Sequence, residues 1–174
     1  DLVREGKVRL LGASNYGAER LREALDTSKR LNLPRYEVLQ PEYNLYDREA
    51  YEKEIDAICT RYGLGVINYY ALASGFLTGK YRSEADLGQS PRGGGVKNYL
   101  NERGFRILQA LDEVAEQYNA TPASVSLAWL MARPSITAPI ASATKTSQLE
   151  DLVKAADLRL DQAAIKKLDE ASAY

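Results

Sequence analysis

The sequence predicts an α/β fold in which helices cover a parallel sheet. Short apolar runs alternate with longer segments whose apolar residues recur at helical spacing, and glycines or prolines separate many of them. Strands that alternate with helices are joined by right-handed crossovers and lie parallel. Four strand–helix units fit either an open doubly wound sheet or part of a (β/α)8 barrel. A full barrel needs about 250 residues, whereas the chain has 174.

The predicted elements follow one another in a regular order. The strands are expected at residues 8–14, 36–40, 64–70 and 136–141. The helices are expected at residues 17–32, 47–62, 102–119, 121–132, 146–156 and 161–172. Between the third strand and the next helix, residues 73–101 form a segment rich in glycine, serine and charge, and loops of that length are usually functional or mobile.

Local signals mark several of these boundaries. Gly6 stands where a left-handed residue ends a helical turn, and Gly63 is expected to stop the second helix. Thr121 precedes a proline and is expected to cap the helix that this proline opens, and Asp161 is expected to cap the last helix. Because the chain opens on such a helix end, we also expect preceding sequence to be missing.

The composition restricts the classes of partner and chemistry. Lys and Arg number 23 against 24 Asp and Glu, which predicts neither a nucleic-acid nor a membrane-surface partner. No apolar run approaches the ~20 residues of a membrane span. The single cysteine, Cys59, cannot form an intramolecular disulfide, which favours a cytoplasmic location. Histidine is absent, so the commonest proton-transfer group and metal ligand is missing, and we predict no metal site.

Small polar, amide and aromatic groups follow all four predicted strands, at the end where ligands bind in both architectures. They include Ser14, Asn15, Gln40, Tyr69, Ser142 and Thr144. No pair of carboxylates, metal-ligand cluster or nucleophile–base arrangement accompanies them. These residues are therefore typical of a site that binds a ligand rather than one that breaks bonds.

Each of these groups also has a simpler interpretation. The Ser-Asn pair after the first strand could cap a helix or form a turn. Tyr69 could be an ordinary half-buried aromatic, and Ser142 and Thr144 could cap the next helix. The Gly93–Gly95 run lacks a preceding strand and a directly following helix, so it matches neither phosphate-binding fingerprint. The coincidence of polar groups at four successive strand ends favours a site.

The motifs Gly12-Ala13-Ser14-Asn15 and Gln40-Pro41-Glu42-Tyr43-Asn44 occupy the ends of the first two strands. They resemble the fifth- and sixth-strand motifs of the aldo-keto reductases. The segment from Leu72 to Tyr81 resembles the seventh-strand loop of the branch that includes bacterial oxidoreductases and potassium-channel β subunits. Ser124–Trp129 and Gln148-Leu149-Glu150-Asp151 fit the eighth unit. The resemblance implies the second half, strands 5–8, of a (β/α)8 TIM barrel with additional C-terminal helices, as one partial domain over residues 1–174.

The resemblance also implies a cofactor, NADPH or less often NADH, bound without a Rossmann domain. Ser14, Asn15 and Gln40 would bind the nicotinamide carboxamide, because amides offer it both donors and acceptors. Tyr69 would stack on the nicotinamide ring. Lys80 would add positive charge beside the pyrophosphate, which backbone N–H groups would surround. Those groups belong to Tyr70, Ala71, Leu72, Ala73 and Ser74.

The adenosine end departs from the family in part. Ser142 and Thr144 would contact the adenosine phosphate, and Gln148 and Asp151 the adenine side. Leu152 stands where the family often has an adenine-binding asparagine, and the arginine often used for the 2′-phosphate is absent. Lys145 would replace it only as a point charge. The preference between NADP and NAD therefore stays open. In the same comparison, Tyr70 stands where the family often has a small serine.

The implied function is reduction of small-molecule aldehydes and ketones to alcohols. The family's proton-donor tyrosine and its partners lie on the first four strands, so we expect this chain to supply the cofactor-binding half, with no catalytic residue and no activity alone. The alternative is a non-catalytic nucleotide-binding or assembly module built on a half-barrel. Since the first and fourth strands would have unpaired edges, we expect a missing N-terminal half or self-association through exposed strand edges as partner.

Overall fold

Three parallel strands form the sheet in the computed structural model, which describes residues 1–174. They lie in the order β1 (Leu11–Ser14), β2 (Tyr36–Gln40) and β3 (Gly65–Val66). In this register Ser14 lies beside Gln40, and Leu39 lies beside Val66. The predicted α/β class with a parallel sheet is thereby confirmed.

Six α-helices follow or separate the strands. They are α1 (Ala18–Leu31), α2 (Asp56–Tyr62), α3 (Glu102–Gln117), α4 (Pro122–Met131), α5 (Thr146–Asp157) and α6 (Gln162–Ala171). A π-helical turn, Tyr51–Ile55, leads directly into α2. The segment 73–101, expected as a loop, contains three 3₁₀ helices at Ala73–Thr78, Glu84–Gln89 and Gly93–Tyr99.

Two of the predicted strands are shorter than expected. Residues 8–10 lie outside β1, because β2 begins at Tyr36, the partner of Leu11, and nothing earlier is available for pairing. The third strand, predicted at 64–70, is reduced to Gly65–Val66 and one further bridge, between Glu42 and Tyr69.

The fourth predicted strand, at 136–141, is wrong. Thr137 and Ala138 both donate their N–H groups to Val66 O, at 2.9 and 3.2 Å, and Ile140 N donates to Asn68 O at 2.9 Å. Two donors on one carbonyl do not make a regular ladder, so this segment lies against β3 without forming a strand. Thr137 Oγ1 adds a side-chain bond from Val66 N at 3.0 Å.

The predicted helix boundaries follow their local signals. Gly6 and Gly63 have φ values of 72° and 63°, and each stands in a Schellman-type turn. The Thr121 side chain accepts a bond from Ser124 N, and the Asp161 side chain accepts one from Ala164 N. These capping predictions are confirmed. The second helix begins later than expected, since residues 47 and 48 are not helical.

The core lies between the sheet and the helices. Leu39 and Val66 in the sheet, Leu21 on α1 and Trp129 on α4 are all fully buried. The opposite face of the sheet stays open, as shown by the alternation in β1, where Ala13 is buried and Ser14 is exposed. Cys59 is also buried, and its desolvation raises the pKa of the thiol to about 11, so the thiol is inert at neutral pH.

A buried charged network attaches α6 to the rest of the helices. Arg48 bonds to Glu52 at 2.8 Å, to Asp169 at 3.2 Å and to Ser172 Oγ at 2.6 Å. Asp169 also accepts bonds from Trp129 Nε1 and from the Arg133 guanidinium. The Arg48 side chain is only 9% exposed, and the carboxylates of Glu52 and Asp169 both compensate its charge. Removal of both would leave a buried charge uncompensated.

None of the helices combines the length and apolar character needed to span a bilayer. No group of three or more Asp, Glu, Cys or His side chains is arranged to hold a metal ion.

Gly104, the third residue of α3, tests the packing of this fold. A Cβ at this position would lie 1.9 Å from Tyr99 O and 3.0 Å from Phe76 Cζ. We therefore expect Gly104→Ala to lower the free energy of unfolding by about 2 kcal/mol, since overpacking outweighs the helix propensity of alanine. Urea denaturation followed by circular dichroism measures it. The matched control is Gly94→Ala, where a Cβ would meet nothing within 4 Å; equal stabilities of the two variants would contradict the expectation.

Candidate functional site

The carboxyl ends of the strands bring together the first four predicted site residues. Ser14 Oγ donates to Gln40 O at 3.1 Å. Tyr69 Oη donates to Asn15 Oδ1 at 2.7 Å, which joins the end of β3 to the end of β1 across β2. Asn15 has a left-handed backbone with φ 57°, a conformation that asparagine tolerates better than most residues.

The helix-capping interpretations of these residues do not hold in the structure. The residue that caps α1 is Gly17, with no side-chain capping bond, so the Ser14-Asn15 pair caps nothing. The cap position of α5 is Lys145, also without a side-chain bond, so Ser142 and Thr144 are not its caps. The Ser14-Asn15 pair, Ser142 and Thr144 are therefore not needed as helix caps, whereas Tyr69 is half-buried, as its simpler interpretation expects.

The turn after β3 has an unusual backbone. Tyr70, Ala73, Ser74 and Gly75 all have positive φ, with values of 53°, 47°, 56° and 95°. Such conformations in residues other than glycine are uncommon and cluster at ligand-binding positions. Leu72, with φ −110° and ψ 19°, directly precedes the left-handed Ala73, and a right-handed residue followed by a left-handed one is the backbone step found in anion-binding turns.

One predicted donor in this turn is already engaged. Ala73 N–H donates to Tyr70 O at 2.8 Å, and Ala73 is fully buried. Its N–H group therefore has an internal partner in this structure, and the contact of Ala73 with the pyrophosphate stays a prediction. Ala71 is also buried, whereas Leu72 and Ser74 are half-buried and Tyr70 is exposed.

Lys80 lies next to the same turn. A Cβ on Gly75 would be 3.2 Å from Lys80 Nζ, which places the ammonium directly against the left-handed backbone. The ammonium also lies 4.9 Å from the centre of the Tyr81 ring. Tyr81 is buried and bonds through its hydroxyl to Ser90 Oγ at 2.6 Å, so the ring is a fixed support for the exposed Lys80.

The segment before α5 reaches the same edge of the sheet. Because Ile140 N bonds to Asn68 O, the residues that follow lie beside the carboxyl end of β3. Ser142 is exposed there, and Gln148 Oε1 accepts bonds from Thr144 N at 2.9 Å and Thr144 Oγ1 at 3.2 Å. Thr144 and Gln148 are thus already paired.

Asp151 lies farther along α5, at a separate cavity of about 490 Å³. The other walls include Thr121, Ser124 and Lys154, and Ser124 Oγ donates to Asp151 O at 2.9 Å. The adjoining Pro122 approaches the turn that precedes Lys80, since a Cβ on Gly79 would be 3.6 Å from Pro122 Cγ. The start of α4, next to the cavity wall at Thr121, thus packs against the turn that precedes Lys80.

Sequence reasoning did not assign four residues that shape this edge: Glu42, Asn44, Asp47 and Tyr99. Partial desolvation and the negative charge of Asp47 raise the pKa of Glu42, and desolvation and Glu42 raise the pKa of Tyr69. Asn44 could have been suspected from its Asn-x-x-Asp spacing to Asp47, which is typical of an Asx turn. No local signal points to Tyr99, whose hydroxyl donates to Asp47 Oδ2 at 2.8 Å.

Comparison with known proteins decides the family. The family model described as "Aldo/keto reductase family" matches residues 1–173. The chain belongs to the aldo/keto reductase family. The resemblance expected from the sequence motifs is confirmed.

Individual relatives agree with this family. The chain is 32% identical over 154 residues to "Probable voltage-gated potassium channel subunit beta" of Arabidopsis thaliana, covering 84% of this chain and 46% of that protein. It is 28% identical over 174 residues to "Aldo-keto reductase yakc [NADP(+)]" of Schizosaccharomyces pombe, covering 97% and 49%. The chain spans about half the length of the curated relatives it matches.

A solved structure supports the fold. The thermostable aldo-keto reductase Tm1743, crystallised with the inhibitor epalrestat, superposes with a TM-score of 0.73 at 24% identity. The match covers 98% of this chain and 51% of that chain. The α/β chain thus has the fold of part of an aldo-keto reductase, and its placement on strands 5–8 of the barrel stays a prediction.

Gly75 tests the turn as an anion-binding surface. A Cβ there would meet Lys80 Cε at 3.1 Å and would also have to adopt φ 95°. A left-handed conformation costs an L-residue ~1–2 kcal/mol, so we expect Gly75→Ala to distort the turn and weaken pyrophosphate binding about tenfold. Isothermal titration of inorganic pyrophosphate measures the affinity, with Gly94→Ala as the control. Unchanged affinity in Gly75→Ala would show that the anion binds elsewhere.

Proposed function

We propose that the chain binds a nicotinamide nucleotide, NADPH with NADH as the alternative, and is the cofactor-binding half of an oxidoreductase that reduces aldehydes and ketones. The observation that carries this proposal is the convergence of Ser14, Asn15, Gln40 and Tyr69 at one edge of the sheet, next to the left-handed turn and Lys80. Membership of the aldo/keto reductase family supports it.

The donors and acceptors at the strand ends suit a carboxamide. Ser14 Oγ retains acceptor capacity after its bond to Gln40 O, and the Gln40 amide offers both a donor and an acceptor. Asn15 Oδ1 is engaged by Tyr69, which leaves its NH₂ group as a donor. The bond to Asn15 also fixes the Tyr69 ring, so that it can support one face of a planar ligand.

The turn and Lys80 suit a pyrophosphate. The absence of a side chain at Gly75 leaves the space that Lys80 occupies against the backbone. Ser74 and Leu72, half-buried at the same turn, and Tyr70 border this surface. A lysine ammonium and a concave backbone together match two negatively charged phosphates.

The adenosine end would lie toward α5. Ser142 and the Thr144–Gln148 pair stand before its N-terminus, and Asp151 borders the cavity that could hold a purine. Lys145 is the cation available for a 2′-phosphate. The name of the Schizosaccharomyces pombe relative includes NADP(+), which supports NADPH as the first choice.

The bound cofactor would supply a hydride to the carbonyl carbon of a small-molecule substrate. The residues of this chain orient the nicotinamide and neutralise phosphate charge. No histidine is present, and no residue of the site is placed as the acid that must protonate the carbonyl oxygen. We therefore propose that the chain alone is inactive. The buried, unpaired Cys59 supports a cytoplasmic location.

The second candidate function is a nucleotide-binding or assembly module without catalysis. The observation that favours it is the outer edge of β1, which pairs with no other strand, beside the open face of the sheet. An unpaired edge accepts a strand from another chain or from a second copy. Both candidate functions include the nucleotide site. They differ in whether the chain, with the β1 edge paired to a partner, oxidises NADPH in the presence of a carbonyl substrate.

Fluorescence titration with NADPH tests the binding site. We expect saturable binding by the chain, and an approximately tenfold weaker affinity for Gln40→Leu, because an amide that bonds to the carboxamide contributes about 1 kcal/mol or more. The matched control is Gln117→Leu on the exposed surface of α3, whose affinity should equal that of the unmodified chain.

Two outcomes would contradict this account. Absence of binding up to millimolar NADPH would remove the proposed site. Oxidation of NADPH by the chain with an aromatic aldehyde, followed by absorbance, would show that an acid is present after all.

A further inference from the structure

Asn44 is fully buried in the turn that follows β2, and it uses both ends of its side chain. Its Oδ1 accepts from Tyr46 N at 2.8 Å and from Asp47 N at 2.9 Å, which closes the Asx turn. Its Nδ2 donates to Asp47 Oδ2 at 3.1 Å and, 26 residues away, to Tyr70 O at 3.1 Å. Asn44 therefore connects the turn after β2 with the turn after β3.

Tyr70 is the strained partner in this connection. Its φ of 53° is unusual for a bulky side chain. The Tyr70 carbonyl oxygen accepts two hydrogen bonds, from Asn44 Nδ2 and from Ala73 N. These two bonds fix the orientation of the strained peptide group. The ring is 51% exposed and lies 5.2 Å from the Tyr69 ring, tilted by 56°.

Tyr70 is an exposed residue whose ring lies outside the hydrophobic core. A half-exposed ring contributes little to packing, and glycine or asparagine would adopt this backbone with less strain. The ring instead extends the aromatic surface of Tyr69 at the edge where Asn15 and the left-handed turn meet.

We propose that Asn44 is a positioning residue that holds Tyr70 in its left-handed conformation, so that the Tyr69 and Tyr70 rings form one aromatic wall of the ligand site. The identity of the ligand rests on the proposed nicotinamide-nucleotide function. The wall would contact the planar nicotinamide end of the cofactor or an aromatic substrate beside it.

Asp47 extends the connection to a third segment. Its Oδ2 accepts from Asn44 Nδ2 and also from the Tyr99 hydroxyl, at 2.8 Å. Burial and the Asp47 charge raise the pKa of Tyr99, so the hydroxyl stays protonated and remains the donor. Tyr99 in turn stacks on Phe76 at 5.2 Å, within the helix that follows the Tyr70 turn. The turn is thus held from two sides.

Variants of Asn44 and Tyr70 test the proposal through NADPH affinity. Asn44→Ser removes the donor to Tyr70 O, and we expect about tenfold weaker binding. Tyr70→Gly removes both the strain and the ring, so the turn no longer needs Asn44. We therefore expect Asn44→Ser to weaken binding less than about threefold in the Tyr70→Gly background. The matched control is Asn98→Ser, since the Asn98 side chain is exposed.

The outcomes separate this proposal from the proposed function. No NADPH binding by the unmodified chain contradicts the nucleotide site itself. Binding by the unmodified chain with equal affinity in Asn44→Ser, or equal losses in both backgrounds, overturns the positioning role. A purely structural role for Asn44 would lower the urea midpoint and leave the dissociation constant of the folded fraction unchanged.

If Asn44→Ser does not fold, Tyr70→Ala takes its place, because the exposed ring lies outside the core. This variant removes the ring, and we expect weaker NADPH binding of about fivefold or more. Unchanged affinity would overturn the aromatic wall.

Discussion

Strand β2 pairs along both of its edges, and the positions of the groups proposed to bind the nicotinamide end depend on that pairing. On one edge the register sets Ser14 beside Gln40, and on the other it continues past the strand to set Glu42 beside Tyr69. A shift of one residue would turn each of these side chains to the other face of the sheet. The polar ends of β1 and β3 can meet, as in the Tyr69–Asn15 bond, only because β2 holds them at the same level.

The turn that follows β2 connects the sheet to the helices through side-chain bonds. Asn44 and Asp47 lie immediately before Arg48, whose guanidinium is anchored by Glu52, Asp169 and Ser172. A buried charged network of this kind contributes less to stability than to a unique arrangement, since its desolvation offsets much of its attraction. Here it attaches the turn to α6, so the C-terminal helix supports the backbone that reaches Tyr70.

The sequence predicted the elements that local signals define. The limits of β2, the caps at Thr121 and Asp161, and the helical ends at Gly6 and Gly63 all follow from residues within a few positions of the boundary. The residues expected after the first three strands do lie at one edge, because parallel strands place their carboxyl ends together.

The features that prediction missed depend on distant partners. Residues 136–141 have the composition of a strand, but Thr137 and Ala138 share the single acceptor Val66 O, which no local pattern reveals. The roles of Asn44 and Tyr99 arise from contacts across 26 and 52 residues. The Ala73 N–H group was expected to be free, but it bonds to Tyr70 O within the left-handed turn. An alanine in the sequence gives no sign that its backbone will be left-handed.

Hydrogen–deuterium exchange of the chain with and without saturating NADPH locates the bound nucleotide on the sequence. We expect slower exchange in peptides that contain Asn15, residues 69–80 and residues 142–151, with no change in α3. Protection confined to other parts of the chain, or none at saturation, would contradict the assignment of the strand ends as the nucleotide site.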